Sequence, residues 1–158
     1  MFERIKPYLG SLLVVPVAYY FLDSRGEYGL IDNFDLIIHE AGHFFFSFFG
    51  NFIHALGGTL MQIIIPILFI MVFFKSKSNL GIQLSFLLLG QNFINISVYA
   101  ADASIQKLPL FGKGKHDWHY ILGELNLLEN DAEVGYFFVG LAILSFVCAF
   151  LIPFLFRK

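Results

Sequence analysis

The sequence predicts an all-α fold: a polytopic integral membrane helical bundle of about five membrane segments, forming a single domain over residues 1–158. Two observations carry this. The chain is 58% hydrophobic and only 14% charged, whereas soluble domains carry about 25% charged residues. The charges are also segregated, since Pro7–Leu22, Leu36–Phe74, Ser78–Ala101 and Val134–Phe156 hold between them one formally charged side chain, Glu40. A soluble globule of this size cannot bury so much apolar surface, whereas lipid solvates it.

A spanning helix needs roughly 20 apolar residues, so the long run from Leu36 to Phe74 has room for two crossings joined by a turn, offered by Gly50-Asn51 or Gly57-Gly58. Five segments follow, at about 7 to 22, 34 to 50, 58 to 74, 80 to 102 and 133 to 156. The first follows Arg4 and Lys6 like a signal peptide, but Ala18 to Ser24 offers no small-x-small cleavage site, so it is expected to remain as an anchor. Five crossings place Arg4, Lys6, Lys107, Lys113 and Lys115 on one face and Arg25, Lys75, Lys77, Arg157 and Lys158 on the other, a balance that sets no orientation. Cys148 is a lone cysteine in an apolar run, a packing residue with no disulfide partner. A net charge of −2 points away from nucleic acid. The expected partners are the lipid bilayer and a membrane-protein or peptide substrate.

Chemistry concentrates in His39-Glu40-Ala41-Gly42-His43. Residues four apart share a helix face, so His39 and His43 can turn imidazole nitrogens toward one ion, with Glu40 beside them to act on its water. The expected cofactor is zinc, which lowers the pKa of bound water toward about 7 and polarises a carbonyl, while Glu40 serves as general base. Ionisable groups at the centre of a membrane helix cost about 2.5–3.5 kcal/mol each on insertion scales. Three within five positions mark a functional site, the bland alternative being polar pairing between helices. Small residues at Ala41 and Gly42 leave room for a substrate backbone or a neighbouring helix.

On these residues the chain resembles the site-2 protease family of intramembrane zinc metalloproteases, whose signature is this pentapeptide in a transmembrane helix. The resemblance implies His39 and His43 as metal ligands and Glu40 as base. It also implies a third ligand, an aspartate from a later segment in an Asn/Leu-Pro-x-x-Leu-Asp-Gly context. This chain has no Leu-Asp-Gly, so two aspartates compete.

Asp117 follows Leu108-Pro109 and precedes a helical pattern through Ile121, Leu122, Leu125 and Leu128. It can ligate the metal or cap that helix, with His116 and His119 as wet interfacial residues. Asp102 ends a stripe of Asn92, Asn95, Tyr99 and Asp102 on one face of the fourth segment. Such a stripe is either interhelical glue or the polar wall of a site, and Gln91, Asn92 and Asn95 match the histidines better in depth and are expected to orient substrate or ligands, with Asn92 and Asn95 as the substrate-binding candidates. Alternating helices set the histidines about 8–14 Å from one face and Asp102 about 33 Å from it. Meeting therefore needs a fourth helix tilted or broken at Gly90, or a loop from Ser104 to His116 dipping back through Pro109, Gly112 and Gly114.

His54 is expected as a polar group in the turn, and Phe44, Phe45, Phe46, Phe48, Phe49 and Phe52 as lipid-facing or groove-forming aromatics. Gly57-Gly58-Thr59 and Gln62 shape either a re-entrant turn beside the site or a close helix contact. The activity expected is intramembrane proteolysis of membrane proteins. A non-proteolytic metal-binding membrane protein and a zinc hydrolase of a small amphiphile are the alternatives.

Overall fold

The computed structural model describes residues 8–109 and 115–156. Arg4, Lys6, Pro7, Gly112, Lys113, Gly114, Arg157 and Lys158, on which parts of the sequence reading fall, lie outside them. The described residues form six α-helices and no strand: α1 Leu9–Asp23, α2 Leu30–Phe46, α3 Asn51–Lys75, α4 Asn79–Ala101, α5 Asp117–Glu124 and α6 Asp131–Leu155. Single 3-10 turns at Ser47–Phe49 and Leu128–Asn130 lead into α3 and α6.

The all-helical expectation holds, and the count of five spans is not confirmed. Among the described residues three stretches are long and apolar enough to cross a membrane: Asn51–Lys75, Asn79–Ala101 and Leu128–Leu155. Helix α1, at 15 residues, and α2, at 17, are shorter. The turn of the long apolar run falls at Gly50, whose φ of +86° suits a residue without a Cβ. Gly57 and Gly58 instead lie inside α3.

Helices α4 and α6 make the most extensive contact and α1 packs against both. Polar side chains fix their register: Gln83 donates to Ser11 Oγ (3.1 Å) and to the Ala149 carbonyl (3.0 Å), and Ser11 Oγ donates to the Phe150 carbonyl (2.7 Å). Each is a buried polar group that lipid could not satisfy, so satisfying them inside ties three helices together. At the other end Arg25 Nε donates to Ser97 Oγ (2.9 Å). Helix α1 therefore runs parallel to α4 and antiparallel to α6. Gly90 packs on Phe146 within an unbroken α4, so the expected break there is absent.

Helix α2 departs from the alternating pattern. Its first turns lie beside the interior of α4, with Asn95 Nδ2 donating to Asp32 Oδ1 (2.8 Å) and Gln91 Nε2 to Asp35 Oδ2 (2.6 Å). Its last turn lies against the first turn of α3, where the His43 imidazole meets the His54 carbonyl (2.8 Å). The chain thus leaves α1 at Arg25, returns inward through Gly26–Gly29, and starts α2 partway down the bundle. Helix α2 ends at the level where it must turn into α3.

Candidate metal centre

Glycines set the position of the His39/His43 pair. A Cβ on Gly42 would run into the Gly57 carbonyl, and one on Gly57 would lie 2.8 Å from the Gly42 carbonyl. A Cβ on Gly58 would occupy the His39 ring itself. Helices α2 and α3 therefore approach backbone to backbone, and the His39 imidazole lies flat over Gly58. Of the two accounts of Gly57-Gly58, close helix packing is the one observed.

The third group arrives from α5. Asp117 Oδ2 lies 3.1 Å from His39 Nε2 and 3.2 Å from His43 Nε2. Among the described residues these three form a cluster whose ligand atoms all lie within 4.8 Å of one another. Asp117 is held by Tyr99, whose hydroxyl donates to Oδ2 (3.1 Å) and accepts from the Asp117 backbone N–H (3.0 Å). The expected cap role falls elsewhere: His116 is the N-cap of α5, its Nδ1 accepting from the His119 N–H (3.2 Å). With the cap supplied by its neighbour, the Asp117 carboxylate is free to turn inward. His116 is also buried, not wet at an interface, because it packs on Tyr99 (ring centroids 4.3 Å apart).

Asp102 does different work. Its oxygens accept from the backbone N–H groups of Lys107 and Leu108 (2.9 Å each), and Oδ2 stands 3.4 Å from His116 Nε2. It closes the loop that follows α4 and is not among the clustered ligand atoms. The depth conflict is resolved for Asp117 because the chain turns back after Ala101 and sets α5 against α3 and α4. Asn92 is another correction. It is fully buried, donates to the Leu88 carbonyl (2.9 Å) and does not line the cavity, since it lies about 100° around α4 from the cavity-lining Gln91. Asn95 does reach the cavity wall.

That cavity, of about 1080 Å³, lies over the cluster and is lined among others by Tyr28, Glu40, His54, Asn95 and Tyr120. Glu40 is exposed to it from the same helix as the two histidines. Burial raises the Asp117 pKa, but the His39 and His43 imidazoles outweigh it and hold the carboxyl below the usual range. Burial lowers the His116 imidazole despite the Asp102 carboxylate beside it, as suits a neutral cap accepting at Nδ1.

The hydrogen bonds on the far side of each imidazole test whether this donor set suits a metal. His43 Nδ1 faces the His54 carbonyl, which only accepts, so Nδ1 carries a proton and Nε2 is the nitrogen turned to Asp117. His39 Nδ1 faces Gln62 Oε1 at 3.0 Å, with the same result. Two Nε2 atoms and a carboxylate oxygen then converge, a contact satisfied either by Nε2–H donation to Asp117 or by a cation between them. With ligand bonds of about 2.0–2.1 Å, neighbouring ligands of a tetrahedral zinc stand ~3.3–3.4 Å apart. The observed 3.1 and 3.2 Å approach that edge length, and the donor types fit zinc.

Sequence reasoning missed Gln62, Tyr99 and the His54 carbonyl as supports of the cluster, because their roles depend on which helices meet. Comparison of this chain with protein-family models, curated proteins and solved structures returns no match.

Proposed function

We propose that this protein is a multi-pass intramembrane zinc metalloprotease that hydrolyses peptide bonds of membrane-protein substrates. One observation carries the reading: the Nε2 atoms of His39 and His43 converge with Asp117 Oδ2 next to Glu40, on a cavity set among apolar helices. In this reading α1, α3, α4 and α6 cross the bilayer and α2 is a half-span. Helix α1 is ~22 Å long at 1.5 Å per residue, short of the ~30 Å hydrocarbon core, a mismatch that local thinning of the bilayer accommodates.

His39, His43 and Asp117 would hold the ion. Zinc bound there would supply a Lewis acid for the scissile carbonyl and would bring the pKa of a bound water toward about 7. Glu40 takes the proton of the attacking water and passes it to the leaving amine. Tyr99 fixes the Asp117 carboxylate, and the Nδ1–H bonds of His39 and His43 aim their lone pairs inward. A substrate helix must unwind to be cut, because its own hydrogen bonds shield the peptide group.

The test compares membranes expressing the wild type and Glu40→Gln, sequencing new protein N-termini by mass spectrometry. New termini within apolar segments are expected from the wild type, and at least about 10²-fold fewer from the variant, which keeps its zinc. Identical termini from both would refute proteolysis. The cavity, at about 1080 Å³, is slightly above the ~300–1,000 Å³ of small-molecule pockets, so it also has room for a second reading, a small amphiphile as substrate. A lipid product lost in Glu40→Gln, with peptide termini unchanged, would select it.

A further inference from the structure

Behind His39 runs a chain of side-chain hydrogen bonds with a single direction. Asp32 Oδ1 accepts from Asn95 Nδ2 (2.8 Å), Asn95 Oδ1 accepts from Gln62 Nε2 (3.0 Å), and Gln62 Oε1 faces His39 Nδ1 (3.0 Å). An ionised carboxylate only accepts, so it fixes which end of the Asn95 amide faces it. Asn95 then presents its oxygen to Gln62, and Gln62 its oxygen to His39. His39 and Gln62 are both buried, and both border the cavity over the cluster. His43 has no such chain, its Nδ1 being held by a backbone carbonyl.

We infer that Asp32, Asn95 and Gln62 are positioning residues that keep the proton of His39 on Nδ1 and so keep Nε2 free to bind a metal. The inference rests on the reading of His39 as a metal ligand. It assigns Asn95 to the support of the metal centre in place of substrate binding. It also accounts for an acidic residue in the first turn of α2, two turns before His39 on the same helix and joined to it through Asn95 of α4 and Gln62 of α3. A metal-ligating imidazole oriented through its other nitrogen commonly loses about 10–100-fold in metal affinity when that partner is removed.

The test uses the full chain in detergent, labelled with ¹⁵N at histidine. Imidazole tautomers are read by NMR on zinc-free protein at a pH, found by titration, where neither ring is doubly protonated, and zinc dissociation constants are measured in parallel. Wild type is expected to show Nδ1–H at both His39 and His43. Gln62→Met, close in shape but without an amide, should shift His39 toward Nε2–H, leave His43 unchanged, and weaken zinc about 10–100-fold. Gln62→Glu retains an acceptor and should restore both readouts. Asp32→Asn, at a half-exposed position, lets the relay amides point either way and should mix the His39 tautomers, which keeps the idea testable should Gln62→Met fail to fold. An unchanged His39 tautomer in both Gln62→Met and Asp32→Asn would overturn the inference, as would zinc weakening with no tautomer change. Nδ1–H in the wild type, shifted by these substitutions, in a chain that binds no zinc would uphold the relay while overturning the metal centre.

Discussion

His39 and Asp117 stand 78 positions apart in sequence and meet at 3.1 Å. The histidine half of the site was legible because helical spacing alone puts His39, Glu40 and His43 together. The carboxylate half was not, because choosing between Asp102 and Asp117 required the path of the chain after Ala101. Gln62 read equally well as a turn or packing residue, since nothing local ties it to Asn95, 33 positions away. These roles yield two predictions. His39→Ala or His43→Ala should abolish zinc retention, measured as bound metal after gel filtration, because two remaining protein ligands seldom hold a catalytic ion. Asp102→Ala should weaken zinc, about tenfold or less, without abolishing it, because it releases the loop N–H groups of Lys107 and Leu108 while leaving every ligand in place. Full loss of zinc in Asp102→Ala would make it more than a loop anchor.

Two helices, α2 and α3, create the site by touching backbone to backbone. Gly42, Gly57 and Gly58 were visible in the sequence, but two outcomes fitted them, a turn or a close contact. Helix α3 decides for contact because it runs unbroken through both of its glycines, while Gly50 takes the turn with its positive φ. A Cβ at Gly58 can be accommodated only by moving the His39 ring. Gly58→Ala should therefore destabilise the fold by about 1–3 kcal/mol through overpacking and weaken zinc by at least tenfold, read as thermal unfolding and a zinc titration. Undiminished zinc affinity would mean that His39 does not need its seat on α3. The short helix α5 makes a similar point, since its cap is His116 and not the expected Asp117. A shift of one residue in cap position is beyond what sequence patterns resolve.

Across the molecule, composition and charge segregation sufficed for an all-helical apolar bundle, but counting runs does not fix the number of crossings. The count turns on α2, whose apolar length looks like a span although it starts against the interior of α4. A polar face explains why it can lie there: Asp32, Asp35 and His39 are met by Asn95, Gln91 and Gln62. With four crossings and a half-span, Glu27 and Ser104 fall on one side of the membrane and Ser76 on the other. Five alternating crossings instead put Glu27 with Ser76. Single cysteines at these positions in a Cys148→Ser background, labelled in sealed vesicles with an impermeant thiol reagent, separate the two. Glu27→Cys and Ser104→Cys are expected to react together and Ser76→Cys oppositely, and pairing of Glu27→Cys with Ser76→Cys would restore the fifth crossing.

One claim underlies the proposed function and the relay alike, that His39, His43 and Asp117 hold a zinc ion. Its most direct test is the metal content, by mass spectrometry, of detergent-purified wild type, Asp117→Ala and Asp102→Ala after zinc reconstitution in metal-free buffers. The account predicts one zinc per chain in the wild type, none in Asp117→Ala, and zinc retained in Asp102→Ala. A wild type without zinc, or an Asp117→Ala variant that keeps it in full, would contradict it.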